Sequence, residues 1–148
     1  MKNQNIMKKL KWIQPGDDLA DAYAIRTKVF IEEQQVPAEL EMDEIDPITD
    51  HLVLYIDHNP AATGRIVWET PVALGRIAVL PEYRGTGVGA EIVRNLAAKV
   101  FEKGVNEVHL HAQIQAQGFY EKLGFVAYGA IYEEAGIPHV SMRKRADT

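Results

Sequence analysis

Three glycines at alternate positions stand between a strand-like apolar run and a helix-like run. The segment reads Arg84-Gly85-Thr86-Gly87-Val88-Gly89. Glycines let a ligand approach the backbone closely, and the unpaired amides of a first helical turn form an anion site together with the helix dipole. Arg84 adds a fixed positive charge and a forked donor at the rim. The segment therefore predicts a phosphate-binding loop.

Other uses of the glycines fit less well. A turn without a ligand would leave three glycines and an arginine with no purpose. Residues 85–90 also satisfy the dinucleotide pattern G-x-G-x-x-A, but that site expects an acidic residue about 20 residues further on. The next strand ends His109-Leu110-His111-Ala112-Gln113, without an acid. A nucleotide P-loop needs Gly-Lys-Ser/Thr, which this loop lacks.

The surrounding elements alternate between strands and helices. Apolar periodicity and turn residues predict strands at residues 9–14, 51–57, 63–69, 72–80, 107–112, 125–132 and 140–143. Helices are predicted from Asp17 or Asp18 to before Pro37, at 87–103 and at 116–123, with a long acidic loop at 36–50. This order predicts an α/β fold with one mixed sheet and a single domain over residues 1–148.

Composition narrows the class of protein. The chain has 148 residues, 47% of them apolar and 25% charged, which is typical of a soluble globular domain. The formal net charge of −5 argues against a general nucleic-acid binder. The absence of cysteine excludes disulfides, a thiolate nucleophile and a Cys-based zinc site. We see no signal peptide and no run of membrane-spanning length, so we expect a cytoplasmic protein without a membrane partner.

Two segments of the second half resemble the GNAT acetyltransferase superfamily. Arg84-Gly85-Thr86-Gly87-Val88-Gly89 fits its acyl-CoA loop, Arg/Gln-x-x-Gly-x-Gly/Ala. Residues 113–125 (QIQAQGFYEKLGF) are similar to its Asn-x-x-Ala-x-x-x-Tyr-x-x-x-Gly-Phe, with Gln113 in place of asparagine. The first half resembles the ElaA/YjcF-like branch through Arg26-x-x-Val29-Phe30-Ile31-x-Glu33-Gln34-x-Val36-Pro37, and it carries Glu41-x-Asp43-x-x-Asp46 and His51. The resemblance spans roughly residues 10 to 143.

The resemblance implies an N-acetyltransferase that uses acetyl-CoA. Such domains separate two central parallel strands, whose free edges pair with the pantetheine arm. This places the cofactor against Ile77, Ala78, Val79, the loop residues Arg84, Gly85, Thr86, Gly87, Val88 and Gly89, and Gln113, Phe119 and Tyr120. Tyr120 becomes the proton donor to the departing thiolate, and a backbone amide near Val79 meets the oxyanion. The acceptor is expected to be a small primary amine.

The general base and the substrate contacts stay open at this point. The central strand offers no glutamate, so the candidates for the base are Glu33, Glu41, Asp43, Asp46 and His111, and Glu33 and His111 are also expected to contact the substrate. Arg26, Arg65 and Arg76 are candidates for substrate specificity, and Arg76 would favour a carboxylate or phosphate. His51 and His139 show no metal-ligand spacing, so we expect no metal.

Three other functions remain as alternatives: a non-catalytic acyl-CoA-binding module, a dinucleotide-binding oxidoreductase fragment, and an acyl-homoserine-lactone synthase, which shares the architecture. A homodimer is common in the superfamily and is possible here.

Overall fold

The computed structural model describes residues 6–147 and contains one seven-stranded sheet. The strands are Lys8–Ile13 (β1), Asp50–Ile56 (β2), Asn59–Val67 (β3), Ala73–Val79 (β4), Glu107–Gln113 (β5), Val126–Glu134 (β6) and Ile137–Arg145 (β7). Their order is β1-β2-β3-β4-β5-β7-β6, and neighbours are antiparallel except for β4 and β5. This mixed sheet with flanking helices confirms the predicted fold class.

Helices cover both faces of the sheet. They are Ala20–Arg26 (α1), which continues as a π-helical segment Thr27–Glu33, and Ala38–Glu41 (α2), Val88–Glu102 (α3) and Gln117–Glu121 (α4). In β2, Leu52 and Leu54 belong to the core cluster that includes α3, whereas Val53 belongs to the cluster that includes α1. Alternate residues of a strand point to opposite faces, so α1 and α3 lie on opposite sides. No helix within residues 6–147 has the length and apolar content needed to cross a bilayer.

The first predicted helix is divided in two. It begins at Ala20, whose amide donates to the Asp18 carboxylate at 2.9 Å, and it ends before Pro37 as expected. From Thr27 onward the helix widens, and the Gln34 amide donates to the Val29 carbonyl at 3.1 Å, five residues back. Such widened turns occur frequently at functional sites. The predicted loop at 36–50 contains α2 and a short 3₁₀ turn, Asp46–Ile48.

The β2–β3 hairpin turns earlier than predicted, whereas the β6–β7 hairpin turns within the segment predicted between its strands. The β2–β3 turn lies at Asp57 and His58, with φ of +48° and +72°, so β3 begins at Asn59 rather than Thr63. Two consecutive positive φ values are what a two-residue hairpin turn of type I′ requires. The β6–β7 turn lies at Ala135 and Gly136, and β7 therefore begins at Ile137, three residues earlier than predicted.

The two parallel strands separate soon after they pair. β4 and β5 are in register only at Ala73 with His109 and at Leu74 with Leu110. Beyond these pairs β4 stays bonded to β3, and β5 stays bonded to β7 as far as Gln113. The opening between them begins at Gly75 and His111. It confirms the predicted separation of the central strands.

Candidate active site

A cleft of about 1330 Å³ runs through this opening. It is lined by the π-helical segment and α2 on one side of the sheet, by α4 and the start of α3 on the other, and by β4 and β5 between them. A ligand in the cleft would therefore contact both faces of the sheet.

The predicted phosphate loop lies along this cleft. Gly85 (φ +78°) and Gly87 (φ +88°) have left-handed backbone conformations, which glycine adopts without strain. A Cβ added at either position would meet no atom within 4 Å. α3 begins at Val88, and the first amides of a helix have no acceptor within it. The loop therefore has the free amides and the open space that a pyrophosphate requires.

The side chain of Arg84, in this loop, is held by two residues from outside the loop. Its Nη1 and Nη2 donate to the two carboxylate oxygens of Glu33 at 2.9 and 2.8 Å, and its Nε donates to the Val79 carbonyl at 3.0 Å. The hydrogen bonds from Arg84 hold the pKa of Glu33 below its usual range. Glu33, predicted as a substrate residue, is thus engaged with the loop arginine at the rim of the cleft.

The free edge of β4 continues the site. Ala78 and Val79 pair with Thr63 and Ala62 of β3, and Ile77 lies just before them. None of the three has a β5 partner in the register. Ala78 packs in the α1 cluster, whereas Ile77 and Val79 pack against the α3 cluster. The side of β4 that faces the opening is available to a ligand with amide groups.

Tyr120 reaches the cleft from α4. Its ring makes edge contacts with Phe119 and Phe125, with centroids 5.0 and 6.0 Å apart. The side chain is buried, and burial raises the pKa of its hydroxyl well above the usual range. No residue among 6–147 forms a hydrogen bond with that hydroxyl. Tyr120 is therefore a protonated phenol without a protein partner at the cleft.

Gln113 connects the end of β5 to the π-helical segment. Its Nε2 donates to Gln34 Oε1 at 2.8 Å, and Gln34 Nε2 donates back at 3.2 Å. Gln115 Nε2 also donates to Gln113 Oε1, at 2.6 Å. The side-chain amide that was predicted to contact the cofactor is thus occupied by protein partners. Glu33 and Gln34 together bridge the loop after β4 and the end of β5.

Arg26 does not contact the cleft, and its prediction as a substrate residue is wrong. The guanidinium is fully buried beside α2. Its Nε donates to Glu41 Oε2 at 2.8 Å, and its Nη1 and Nη2 donate to Asp46 at 2.8 and 3.0 Å. Every nitrogen is used inside the protein, so Arg26 has a structural role.

Arg65 and Arg76 extend this buried network toward the cleft. Arg65 Nη1 donates to Asp43 Oδ1 and to Asp46 Oδ1, each at 2.7 Å. Arg76 has a left-handed backbone (φ +51°) on β4, and its Nη2 donates to Asp43 Oδ2 at 3.1 Å. Arg76 Nε lies 3.2 Å from Glu41 Oε2, and its side chain remains 22% exposed at the cleft. Only Arg76 of the three combines this network with substantial exposure.

His111 lines the cleft from β5 and is exposed. The structure also reveals cleft residues that sequence reasoning missed, namely His109, Gln34 and Tyr128. His109, His111 and Gln113 are two residues apart, so the period of a strand could have placed them on one face. Gln34 and Tyr128 had no such signal. Within the described chain no three His, Asp or Glu side chains are arranged to hold a metal ion.

The model of the acetyltransferase (GNAT) domain family matches residues 16–146. The chain belongs to this family. Among its relatives, YjcF of Bacillus subtilis, described as an uncharacterized N-acetyltransferase, is 39% identical over 86% of this chain and 93% of its own length. Protein ElaA of Escherichia coli is 30% identical over 81% of this chain and 82% of its own. Both relatives confirm the predicted branch.

A solved structure agrees with this assignment. An acyl-CoA N-acyltransferase from Pseudomonas aeruginosa superposes with a TM-score of 0.83 at 28% identity, and the match covers 93% of this chain and 99% of that one. The protein is accordingly an acyl-CoA-dependent N-acetyltransferase, and the fold implies that an acyl-CoA is its donor.

Proposed function

We propose that the enzyme transfers the acetyl group of acetyl-CoA to the primary amine of a small molecule by direct attack on the thioester. The observation that carries the proposal is the opening between β4 and β5, flanked by the glycine loop that follows β4 and by Tyr120 that follows β5. The loop amides would hold the pyrophosphate, and the free edge of Ile77 to Val79 would pair with the pantetheine amides.

Tyr120 is the proposed general acid. Bound acetyl-CoA supplies an activated carbonyl, and the thiolate that leaves must be protonated. The raised pKa of Tyr120 keeps its proton in place at neutral pH. The same burial makes a tyrosinate costly, so the proton has to be replaced within each turnover. Gln113 would act on the cofactor indirectly, by fixing the side chain of Gln34 beside the cleft.

Ligand-dependent thermal unfolding tests the donor. Acetyl-CoA at about 100 times its dissociation constant should add about 2.7 kcal/mol of stability, which raises the melting temperature by roughly 5 to 10 °C for this size. Arg84→Ala should reduce this shift, because a charge-assisted hydrogen bond contributes about 1.5 to 3 kcal/mol. The matched control is Arg94→Ala on α3, an exposed arginine outside the cleft, which should keep the full shift.

The other functions give different results. A shift with NAD and none with acetyl-CoA would refute the donor and favour a dinucleotide site. If acetyl-CoA binds, a panel of primary amines is assayed for release of free thiol. Binding without turnover of any amine would indicate a non-catalytic acyl-CoA-binding module instead.

A further inference from the structure

The base that takes the proton from the acceptor amine can be identified by what surrounds each candidate. The four acidic candidates are all engaged with arginines. Glu33 accepts from Arg84, and Asp43 accepts from Arg65 and Arg76. Glu41 and Asp46 are almost fully buried and accept from Arg26. The arginines hold the pKa of Glu33, Asp43 and Asp46 below the usual range, against the effect of burial, which makes these three poor proton acceptors. Burial raises the pKa of Glu41, but its Oε2 lies 2.8 Å from Arg26 Nε and 3.2 Å from Arg76 Nε, and protonation would leave those charges without a partner.

His111 differs from these acids in position and in bonding. It is the first residue of β5 beyond the last β4–β5 pair, so its side chain lies where the opening begins. Its Nδ1 is 2.5 Å from the hydroxyl of Tyr132 on β6. Its Nε2 has no partner among residues 6–147, and the side chain is exposed in the cleft. The ring therefore has one anchored nitrogen and one free nitrogen.

His109, two residues earlier on β5, also lies beside a tyrosine hydroxyl, but both of its ring nitrogens have partners. Its Nδ1 is 2.6 Å from the Tyr128 hydroxyl, and its Nε2 lies 3.4 Å from Glu107 Oε1. It also stands beside Ala73, where β4 and β5 are still paired. His109 is thus the closest structural control for His111 that the chain offers.

His111 and Tyr120 lie on opposite faces of the sheet. Leu110 and Ala112 of β5 pack in the core cluster with α3, and Tyr120 belongs to the same cluster. Because side chains alternate along a strand, His111 points to the other face, beside the π-helical segment. A thioester in the opening would therefore have His111 on one face and Tyr120 on the other.

We infer that His111 is the general base of the reaction, acting through Nε2, and that Tyr132 is a positioning residue that holds its Nδ1–H. This inference rests on the proposed function. The amine lone pair forms the N–C bond to the thioester carbonyl carbon, and its N–H proton passes to His111 Nε2. The C–S bond breaks and the sulfur takes the Tyr120 proton. The imidazolium then returns its proton through water to the tyrosinate, so the protons balance.

The bonding around Tyr132 fits this role. Burial raises the pKa of the Tyr132 hydroxyl, so it is a neutral phenol that can accept from Nδ1–H. The ring of His139 stacks on the ring of Tyr132, with the two centroids 5.9 Å apart. The ring of Tyr132 is therefore packed against His139, while its oxygen lies 2.5 Å from His111 Nδ1.

The first test is the tautomer of His111, read from the ring nitrogen shifts in ¹⁵N NMR of the wild-type enzyme, without any acceptor. We expect hydrogen on Nδ1 and a free lone pair on Nε2. Tyr132→Phe keeps the stacked ring and should give His111 a mixture of tautomers, while His109 keeps its shifts. Hydrogen on Nε2 of His111 in the wild-type enzyme would overturn the inference.

The second test is kinetic and uses an alkylamine from the active panel. His111→Gly should lower kcat by about 100-fold or more, the usual effect of losing a general base, and added imidazole should restore part of it. His109→Gly should lose less than tenfold and gain nothing from imidazole. A loss at His111→Gly that imidazole does not relieve, with the acetyl-CoA thermal shift intact, contradicts the base role. If the wild-type enzyme acetylates no amine, the proposed function fails, and the tautomer measurement still judges His111.

Discussion

Asp46 is the residue on which the buried charge network most depends. Its carboxylate is 1% exposed and accepts from Arg26 Nη1 at 2.8 Å and from Arg65 Nη1 at 2.7 Å. Burial alone would raise its pKa, but the hydrogen bonds and charges of the arginines outweigh burial and lower it to about 2. We predict that Asp46→Asn, which keeps the shape and removes the charge, strongly destabilises the fold.

The magnitude follows from two independent routes. A pKa that falls from the usual 3.8 to about 2 corresponds to about 2.4 kcal/mol of stability at neutral pH. Breaking a buried ion pair by removing one partner costs about 3 to 5 kcal/mol, because the other charge stays buried. The side-chain amide of the introduced asparagine would also point an N–H donor at a guanidinium, which has no acceptor for it. We therefore expect a loss of about 3 to 5 kcal/mol, a large part of the stability of a domain.

Urea unfolding at pH 7, followed by tryptophan fluorescence, measures this loss. Asp147→Asn is the matched control, since this aspartate is exposed and should change the free energy of unfolding by less than about 0.5 kcal/mol. Repeating the titration at lower pH tests the cause. A depressed pKa contributes stability above pH 4 that is lost as pH falls toward 2. The difference between wild type and Asp46→Asn should shrink over that range.

Glu41 acts in the opposite direction in the same network. Burial raises its pKa despite the arginines around it. Its charged form is thus unfavourable in the folded state, and stability is gained as pH falls through its raised pKa. Both proteins contain Glu41, so the difference curve isolates Asp46. A loss below about 1 kcal/mol at pH 7, or the same pH dependence in both proteins, would refute the reasoning.

Three further substitutions test how the cleft binds and uses acetyl-CoA. Tyr120→Phe should lower kcat about 100-fold in a thiol-release assay and leave acetyl-CoA affinity within threefold. An unchanged kcat would show that the ring only packs and is not the general acid. Gly89→Ala adds a Cβ 3.2 Å from Val79 Cγ2; we expect acetyl-CoA affinity by calorimetry to fall at least about tenfold and stability to change by less than about 1 kcal/mol. Glu33→Gln should tighten acetyl-CoA binding up to about fivefold, because an exposed pair contributes up to about 1 kcal/mol and Arg84 is released; weaker binding would contradict a role for Arg84 at the phosphate.

Local signals explain the parts of the site that could be predicted from sequence. The loop could be predicted from Gly85 and Gly87, because glycine is the residue that adopts a left-handed backbone without strain. The β2–β3 turn lacked such a signal, since Asp57 and His58 adopt positive φ without glycine. The π-helical segment has none either, because an alternative hydrogen-bond spacing does not require a particular residue type.

Contacts distant in the chain explain the rest. Arg26 fitted a family pattern, but its burial depends on Glu41 and Asp46, which come from two other elements 15 and 20 residues away. Nothing in a local window shows that these charges neutralise each other. Tyr128 and Tyr132 are another example, since the register between β6 and β7 shifts between them. The two-residue repeat of side chains along a strand could not by itself predict that these tyrosines contact His109 and His111.

The separation of β4 from β5 leaves two backbone edges unpaired, which a fold normally avoids because unpaired amides and carbonyls are costly when water is excluded. At the far end of the opening, Glu33 accepts hydrogen bonds from Arg84 in the loop after β4, and the adjacent Gln34 accepts one from Gln113 on β5. Consecutive residues of a regular helix point in different directions, and these two lie at the end of the widened turn. One segment therefore bridges the loop after β4 and the end of β5 across the opening. A ligand whose amides pair with the free edges would complete the hydrogen bonding that the fold leaves open.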